Sequence, residues 1–237
     1  MPLSAVAENL WVTAQPLRFL GLEVGTRMTI VRLGSGDLVL ISPVRLVEGD
    51  RPSLDRLGTV AHLVAPNLFH HMFMTQAQAL YPQAKTWGVA GLAQKRPDLR
   101  LDGLVDRAGC LEEVLEYQPV DGFAALMPQG ICLANETVFF HRPSRTLIVT
   151  DIAFNFDETS SLGMQLAARV LGSYQALRPT LMEKWGTRNK AEVEASLRKV
   201  LAWDFDRVIL THGSIVERDG KAALREGYEW FLGRSPS

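Results

Sequence analysis

Three short stretches of the chain end in side chains that commonly bind metal ions. Each stretch contains or follows an apolar run typical of a buried β-strand, and its polar side chain comes at or just after the end of that run. Folded proteins assemble sites at such strand ends, because the scaffold there is rigid and faces an open crevice. Neutral imidazole and carboxylate suit a borderline metal ion such as zinc. The stretches are Asn67-Leu68-Phe69-His70-His71, Thr146-Leu147-Ile148-Val149-Thr150-Asp151 and Ile209-Leu210-Thr211-His212-Gly213.

Each of these side chains also has a structural interpretation that needs no metal. His70 and His71 are adjacent, so both reach one ion only if the backbone turns there; otherwise one binds and the other hydrogen-bonds or caps a helix. Asp151 can cap the segment that follows its strand, since an isolated buried carboxylate is costly. His212 precedes Gly213, which permits a tight turn. That turn either aims the imidazole into a crevice or only lets it form hydrogen bonds within the turn.

The remaining histidines and the polar residues beside apolar runs are interpreted as structural. His62 lies within an apolar run and is predicted to be a hydrogen-bonded core residue, whereas His141 is predicted to be a solvated hairpin residue. Asn67, Asn135 and Glu136 are predicted to be turn or edge residues rather than metal ligands.

The composition is that of an ordinary folded protein. Of the 237 residues, 47% are hydrophobic and 22% are charged, so a sizeable core can form. The 25 basic and 26 acidic residues give a net charge of −1, which provides no attraction to nucleic acid or to an anionic membrane surface. The isolated Cys110 and Cys132 predict free, mostly buried thiols in a reducing compartment. No signal peptide or transmembrane run is apparent, so a cytoplasmic protein is expected.

Hydrophobic periodicity predicts strands and helices that interleave along the chain. Residues 1–237 are expected to form a single domain, in which two sheets carry helices on their outer sides. The principal predicted elements are a hairpin at 28–41, a strand at 60–65, a helix at 72–80, strands at 114–118 and 123–127, a hairpin at 137–150, helices at 161–174, 189–202 and 221–232, and a strand at 207–210.

In their order and spacing, the three stretches resemble motifs of the metallo-β-lactamase superfamily. The chain resembles more specifically a little-characterised bacterial branch, a domain of unknown function with that fold, and the resemblance covers residues 10–232. It implies an α+β fold, a four-layer αβ/βα sandwich with the site along one edge between the two sheets.

The family's first motif, His-x-His-x-Asp-His after a strand, is only partly kept. The matching stretch runs from Pro66 to His71. His71 matches the last histidine and His70 stands in the aspartate position, whereas Pro66 and Leu68 replace the first two histidines and cannot bind metal.

The later motifs are kept in part as well. The family's middle histidine should fall within residues 130–135, where no histidine occurs. Asp151 matches the bridging aspartate and His212 matches the last histidine. An early strand-end aspartate of the family is replaced by Ser42. The resemblance therefore implies a reduced, degenerate site that keeps only one half of the family's set of metal ligands.

The ligands that are kept imply a single metal ion, which would be zinc, iron or manganese and would be held by His71, Asp151 and His212. His70 would be a fourth ligand or a general base. Three protein ligands and one open position suit a catalytic zinc, so the chain would be a hydrolase-like protein with an unknown small-molecule substrate.

Two alternatives remain open from the sequence. The chain can be a non-catalytic member of the fold that binds no metal and serves as a binding or structural protein. It can also use Arg142, Arg145 or Glu136 to hold an anionic ligand in the same crevice. The segment from Ile152 to Thr187 is long enough to cover the crevice, and its aromatic residues leave a homodimer open.

Overall fold

The structure, a computed structural model, describes residues 1–236 and consists of two main β-sheets and the helices packed on them. Among these residues no helix is both long and apolar enough to span a bilayer. The strands within the described range are, in chain order, β1 (Ser4–Ala7), β2 (Leu10–Gln15), β3 (Arg18–Phe19), β4 (Leu22–Glu23), β5 (Thr26–Arg32), β6 (Asp37–Ile41), β7 (Thr59–Val64), β8 (Lys85–Gly88), β9 (Gly103–Leu104), β10 (Gly109–Leu111), β11 (Leu115–Val120), β12 (Ala124–Met127), β13 (Gly130–Leu133), β14 (Glu136–His141), β15 (Thr146–Val149) and β16 (Arg207–Leu210). The α-helices are α1 (Arg51–Asp55), α2 (Met74–Leu80), α3 (Leu92–Lys95), α4 (Leu162–Leu171), α5 (Leu181–Gly186), α6 (Lys190–Ala202) and α7 (Gly220–Leu232).

The first sheet has the strand order β1-β2-β5-β6-β7-β8-β9 and the second has the order β10-β11-β14-β15-β16. In the first sheet, β1, β2, β5 and β6 pair antiparallel, and β6 to β9 pair parallel. In the second sheet, β15 and β16 form the parallel pair. β3 with β4, and β12 with β13, form separate two-stranded hairpins.

The two main sheets pack face to face and share a hydrophobic core. Ile148 and Ile209 of the second sheet belong to the same buried cluster as Leu40 of the first. Their neighbours Leu147 and Val208 belong instead to a second cluster, which is built with α6 and α7. Successive side chains of a strand point to opposite faces, so this alternation gives each strand one face toward the other sheet and one toward helices. The helices α1 and α2 pack on β7 of the first sheet, as α6 and α7 pack on the second sheet. The predicted four-layer α+β sandwich is therefore confirmed.

Two parallel strand pairs determine where a site can form. β6 and β7 are parallel, so the segments that follow Ile41 and Val64 leave the first sheet side by side. β15 and β16 are parallel as well, so the segments after Val149 and Leu210 leave the second sheet side by side. All four segments meet at one edge of the sandwich, where the carboxyl ends of parallel strands form a crevice.

Predictions about three single residues have different outcomes. His62 accepts a hydrogen bond from Trp87 Nε1 at 2.9 Å, as a hydrogen-bonded residue of the strand should. The prediction that His141 is solvated is wrong, since the side chain is fully buried and its Nδ1 shares a hydrogen bond with Ser144 Oγ at 2.7 Å. Cys110 is a free thiol as expected, but it is exposed rather than buried.

Candidate metal centre

A turn organised by Asn67 carries His70 toward the second sheet. Pro66 follows β7, and Asn67 after it is fully buried. The Asn67 Oδ1 atom accepts hydrogen bonds from the backbone N–H groups of Phe69 at 2.9 Å and His70 at 2.7 Å. An asparagine side chain that bonds the backbone two and three residues ahead forms a tight turn, so the position of His70 is set locally.

Asp151 is oriented by the buried carboxylate of Glu136. Glu136 Oε1 accepts from the backbone N–H of Thr150 at 2.8 Å, and Oε2 accepts from the backbone N–H of Asp151 at 2.6 Å. Asp151 Oδ2 accepts from Asn67 Nδ2 at 2.7 Å. The other carboxylate oxygen of Asp151, Oδ1, is therefore the one that faces the crevice.

His212 lies in a tight turn after β16 that leaves no room for a side chain at the next residue. Gly213 has a φ angle of 86°, and a Cβ atom there would lie 2.2 Å from the carbonyl oxygen of Asn155. Arg27 of β5 donates to the carbonyls of Leu210 and, at 2.9 Å, Gly213. The turn is therefore clamped to the first sheet across the edge of the sandwich.

The ligand atoms of His70, Asp151 and His212 form a nearly equilateral triangle. The two Nε2 atoms are 3.1 Å apart, and Asp151 Oδ1 lies 3.4 Å from that of His70 and 3.6 Å from that of His212. A point equidistant from atoms with these separations is about 2.0 Å from each, which is the length of zinc bonds to nitrogen and oxygen. The donor types and their spacing thus fit one divalent metal ion.

A hydrogen bond at Nδ1 of each imidazole leaves Nε2 available to bind a metal ion. His212 Nδ1 donates to the carbonyl oxygen of Gly25 at 2.7 Å, so a neutral His212 has its lone pair on Nε2. His70 Nδ1 is 2.9 Å from Ser42 Oγ, which can accept the Nδ1 proton in the same way. Metal-binding histidines are commonly oriented by such a bond on the second ring nitrogen.

Burial and mutual charge determine the protonation states of the centre. Burial, with the charge that His70 can carry, lowers the pKa of His212 to about 4, so this imidazole is neutral near pH 7. Burial alone would raise the pKa of Asp151, but the two imidazoles and Asn67 outweigh it and lower the pKa to about 2. Burial likewise lowers the pKa of His70, and the negative charges of Asp151 and Glu136 more than reverse this.

His71, the predicted ligand, lies outside the cluster. Its Nδ1 accepts from Arg96 Nη1 at 2.9 Å, and the same nitrogen of Arg96 donates to the His71 carbonyl oxygen at 3.1 Å. Burial and the positive charges of Lys95 and Arg96 lower the pKa of His71. The predicted set is corrected at this position, because the Asn67 turn aims His70 inward and the adjacent side chain points elsewhere. His70, predicted as a fourth ligand or base, stands where a ligand would be.

The alternative anion-binding residues do not meet at the crevice. Arg142 and Arg145 lie in the turn between β14 and β15, at the opposite end of these strands from the centre. They pair there with Glu116 and, at 2.8 Å, with Asp204. Glu136 is fully buried as an acceptor for backbone groups. The alternative that Arg142, Arg145 or Glu136 holds an anion in the crevice is therefore not supported by their positions.

Several residues that build the centre were not identified from the sequence. Asn67 is a turn residue and Glu136 begins β14, as predicted, but neither was expected to be fully buried or to hold the centre together. Ser42 and Arg27 were not expected to support either histidine. The available signal was a polar residue directly beside an apolar run, but a single sequence contains many such residues. Asn135 is a turn residue as predicted and donates to a backbone carbonyl at 2.9 Å.

Comparison with known families identifies the family of this chain. The sequence model of a family described as a domain of unknown function, DUF4336, matches residues 7–176. The chain belongs to the DUF4336 family. No curated protein matches the sequence.

Solved structures show that this DUF4336 protein has the metallo-β-lactamase fold. A metallo-beta-lactamase from Pontibacter korlensis is 11% identical with a TM-score of 0.64, over 98% of this chain and 99% of that one. The metallo-beta-lactamase FIM-1 from Pseudomonas aeruginosa, in a mono-zinc form, is 12% identical with a TM-score of 0.61, over 98% and 93%. The Flv1 flavodiiron core from Synechocystis sp. PCC6803 is 15% identical with a TM-score of 0.64, over 98% and 60%. The predicted metallo-β-lactamase fold and the predicted match to a domain of unknown function are confirmed.

A largely apolar cavity adjoins the centre of the DUF4336 protein. Its volume is about 420 Å³, and the three residues of the triangle form part of its wall. The segment from Ile152 to Thr187, expected to cover the crevice, supplies a large part of the remaining wall. Its contributions are Phe154, Phe156, Met164, Leu171, Thr180, Met182 and Glu183.

Proposed function

We propose that this DUF4336 protein is a metal-dependent, hydrolase-like protein with one metal ion held by His70, Asp151 and His212. The observation that supports this most directly is the triangle of two Nε2 atoms and one Oδ1 atom, whose edges of 3.1, 3.4 and 3.6 Å fit metal–ligand bonds. His70 follows a strand of the first sheet, whereas Asp151 and His212 follow strands of the second, so their convergence is a property of the fold and not of one local motif.

A single ion is proposed because the rest of the family's ligand set is missing. Pro66 and Leu68 stand in the positions of the first two histidines and offer no ligand atom. A bound divalent ion would supply Lewis-acid chemistry, polarising a substrate carbonyl and lowering the pKa of a water molecule to about 7. Three protein ligands leave a position open toward the cavity, which is where a substrate would enter.

The chain's own residues prepare the centre for this role. Asp151 is an anion and His212 is neutral near pH 7, so neither must lose a proton before binding a cation. Two imidazoles and one carboxylate suit zinc, and the same set also holds iron(II) in non-haem proteins. The assay for metal therefore measures zinc, iron and manganese together.

The competing function is a non-catalytic binding or structural role. It is favoured by the 3.1 Å contact between the Nε2 atoms of His70 and His212, since a protonated His70 could donate there and satisfy the cluster without metal. In that case the three residues would only stabilise the edge of the sandwich.

Two adjacent histidines provide a matched test of the proposal. We expect protein purified without added metal or chelator to contain about one equivalent of zinc, iron or manganese. His70→Ala should lose most of it, because one of three ligands is removed, whereas His71→Ala should retain it. The measurement is elemental analysis of both variants beside the unmodified protein. Absence of metal even after incubation with zinc, or equal loss in both variants, would overturn the proposed centre.

A further inference from the structure

The cavity beside the centre is suited to a hydrocarbon group. The hairpin of β3 and β4 contributes Phe19 and Leu22, and the segment after β15 contributes Phe154, Phe156 and Met164. The volume of about 420 Å³ lies in the range of cavities that enclose small organic molecules. Burying one CH₂ group in such a wall contributes about 0.8 kcal/mol, so a chain of several carbons would bind through the cavity alone.

The charges on the cavity wall disfavour an anionic tail. Outside the triangle and His71, the ionisable side chains of the described wall are Lys95 and Glu183. Lys95 is exposed, and its Nζ atom donates to the carbonyl oxygen of Leu68 at 2.6 Å and lies over the ring of Phe69. Among the described residues of the wall outside the triangle, none therefore places an unpaired positive charge inside the cavity.

Glu183 presents a carboxyl group to the cavity. It is 6% exposed, and its Oε2 atom accepts from the backbone N–H and hydroxyl of Thr180 at 2.7 and 2.5 Å. Both hydrogen bonds from Thr180 go to Oε2, which leaves Oε1 as the oxygen that can face the cavity. A carboxylate at the end of the ligand's chain would therefore meet the like charge of Glu183.

From these features we propose that the substrate is an uncharged carboxylic ester whose acyl part is a hydrocarbon chain. The triangle faces the scissile carbonyl, the cavity encloses the chain, and Glu183 excludes chains that end in a carboxylate. This inference rests on the proposed function for its chemical step and on the cavity for its specificity. Hydrolysis breaks the acyl–oxygen bond, water supplies the new hydroxyl of the acid, and its other proton leaves with the alcohol.

Two matched series of esters test the inference with metal-loaded protein at pH 8. In the first, kcat/KM should rise at least about tenfold from p-nitrophenyl acetate to p-nitrophenyl octanoate, since each added CH₂ is buried. The second series compares the octanoate with mono-p-nitrophenyl suberate, which has the same number of acyl carbons but a terminal carboxylate. Its kcat/KM should be at least about tenfold lower than that of the octanoate. Glu183→Gln should narrow that second ratio, because the amide has no charge and can keep the Thr180 contacts.

Two tryptophan variants on one helix provide the structural control. Met164 of α4 faces the cavity and is buried, whereas Leu166 on the same helix is 65% exposed. Met164→Trp should reduce the octanoate-to-acetate ratio at least about tenfold by filling the cavity. Leu166→Trp should leave the ratio unchanged. An equal ratio in both variants would overturn the assignment of the cavity.

A binding measurement separates failure of this inference from failure of the proposed function. Metal-free protein should bind the apolar fluorophore N-phenyl-1-naphthylamine, and methyl octanoate should displace it, with both effects weakened in Met164→Trp. Displacement without hydrolysis of any ester by metal-loaded protein would overturn the ester assignment and leave the cavity as an apolar binding site, whereas protein that takes up no metal ion would overturn the proposed function. Hydrolysis without a preference for the octanoate, and without displacement, would overturn the inference and leave the proposed function.

Discussion

Asn67 joins the two halves of the candidate centre through its side-chain amide. Its Oδ1 atom accepts from the backbone N–H of His70 in the first half, and its Nδ2 atom donates to the carboxylate of Asp151 in the second. The side chain is fully buried, so a lost partner is not replaced by water. Each buried polar group left unpaired costs about 1–3 kcal/mol.

Replacement of Asn67 should therefore weaken both the fold and the centre. Asn67→Ala is expected to lower the free energy of unfolding by about 2–4 kcal/mol. It should also lower metal affinity about 10–100-fold, because the orientation of two ligands is lost. Urea denaturation and competition with a chelating dye measure the two effects. Asn135→Gly, which removes a single bond to Ala90 and tolerates the φ angle of 49° at this position, is the control; equal stability of the two variants would contradict the role of Asn67.

Glu183 makes stability depend on pH in an unusual direction. Burial, more than the charge of Asp151 across the cavity, raises its pKa from 4.5 to about 7. Between pH 4.5 and 7 the unfolded chain has lost a proton that the folded chain retains. The contribution of this residue to stability therefore falls as the pH rises through that window and stays low above it.

Glu183→Gln should remove this penalty, since the amide does not ionise and glutamine also fits the capping box at the start of α5. At pH 8 we expect the variant to be more stable than the unmodified protein by on the order of 2–3 kcal/mol. Near pH 4.5 the difference should disappear. Urea denaturation at both pH values measures it, and a variant that is less stable at pH 8 would show that the carboxylate is not disfavoured.

At the scale of elements, the turn after β16 positions His212 by close backbone packing. Gly213 lies against the carbonyl oxygen of Asn155, and the backbone N–H of Ser214 donates to that same oxygen at 2.7 Å. Arg27 clamps the same turn from the first sheet. Displacement of this turn would move one corner of the triangle of the candidate centre.

Two glycines with similar φ angles distinguish the cost of left-handed backbone strain from the cost of a steric clash. Gly21 has a φ angle of 82° and open space around it, whereas at Gly213, with a φ angle of 86°, an added Cβ atom would clash with the carbonyl oxygen of Asn155. Gly21→Ala should cost only the left-handed backbone strain, about 1–2 kcal/mol. Gly213→Ala should cost clearly more and reduce metal content. Thermal unfolding and elemental analysis measure both; similar results for the two variants would exclude tight packing at Gly213.

At the scale of the whole molecule, the shared core makes the two sheets depend on each other. Core residues of β6, β15 and β16 contact one another within one cluster, and the candidate centre joins the same two sheets at the edge. We therefore propose that residues 1–237 form one domain that unfolds in a single transition. A ligand bound only by the folded state would stabilise both sheets together.

Zinc should accordingly raise the melting temperature of the whole chain. With free zinc at about one hundred times its dissociation constant, the expected increase is about 5–10 °C for a protein of this size. The increase should appear equally in far-ultraviolet circular dichroism and in tryptophan fluorescence. His212→Ala should show little increase. Two separate transitions, only one of them shifted by zinc, would contradict the single-domain proposal.

Local patterns were sufficient for most of the regular elements. The hairpin of β5 and β6, the hairpin of β14 and β15, and α6 were all predicted, because alternation, turn residues and helical periodicity are contained within a few consecutive residues. The shortest elements, such as β3, β4 and α5, were not predicted. They span too few residues for a period to be visible, and they form because neighbouring parts of the chain cover them.

The sequence alone determined the superfamily resemblance, the layered α+β fold, and two strand ends carrying Asp151 and His212. Tertiary structure alone decided that His70 rather than His71 joins them, because the direction of a side chain depends on the buried Asn67 turn. It also decided that Glu136 is buried beneath Asp151 and that an apolar cavity adjoins the centre. These features depend on contacts between residues far apart in the chain, whose pairing no local pattern encodes.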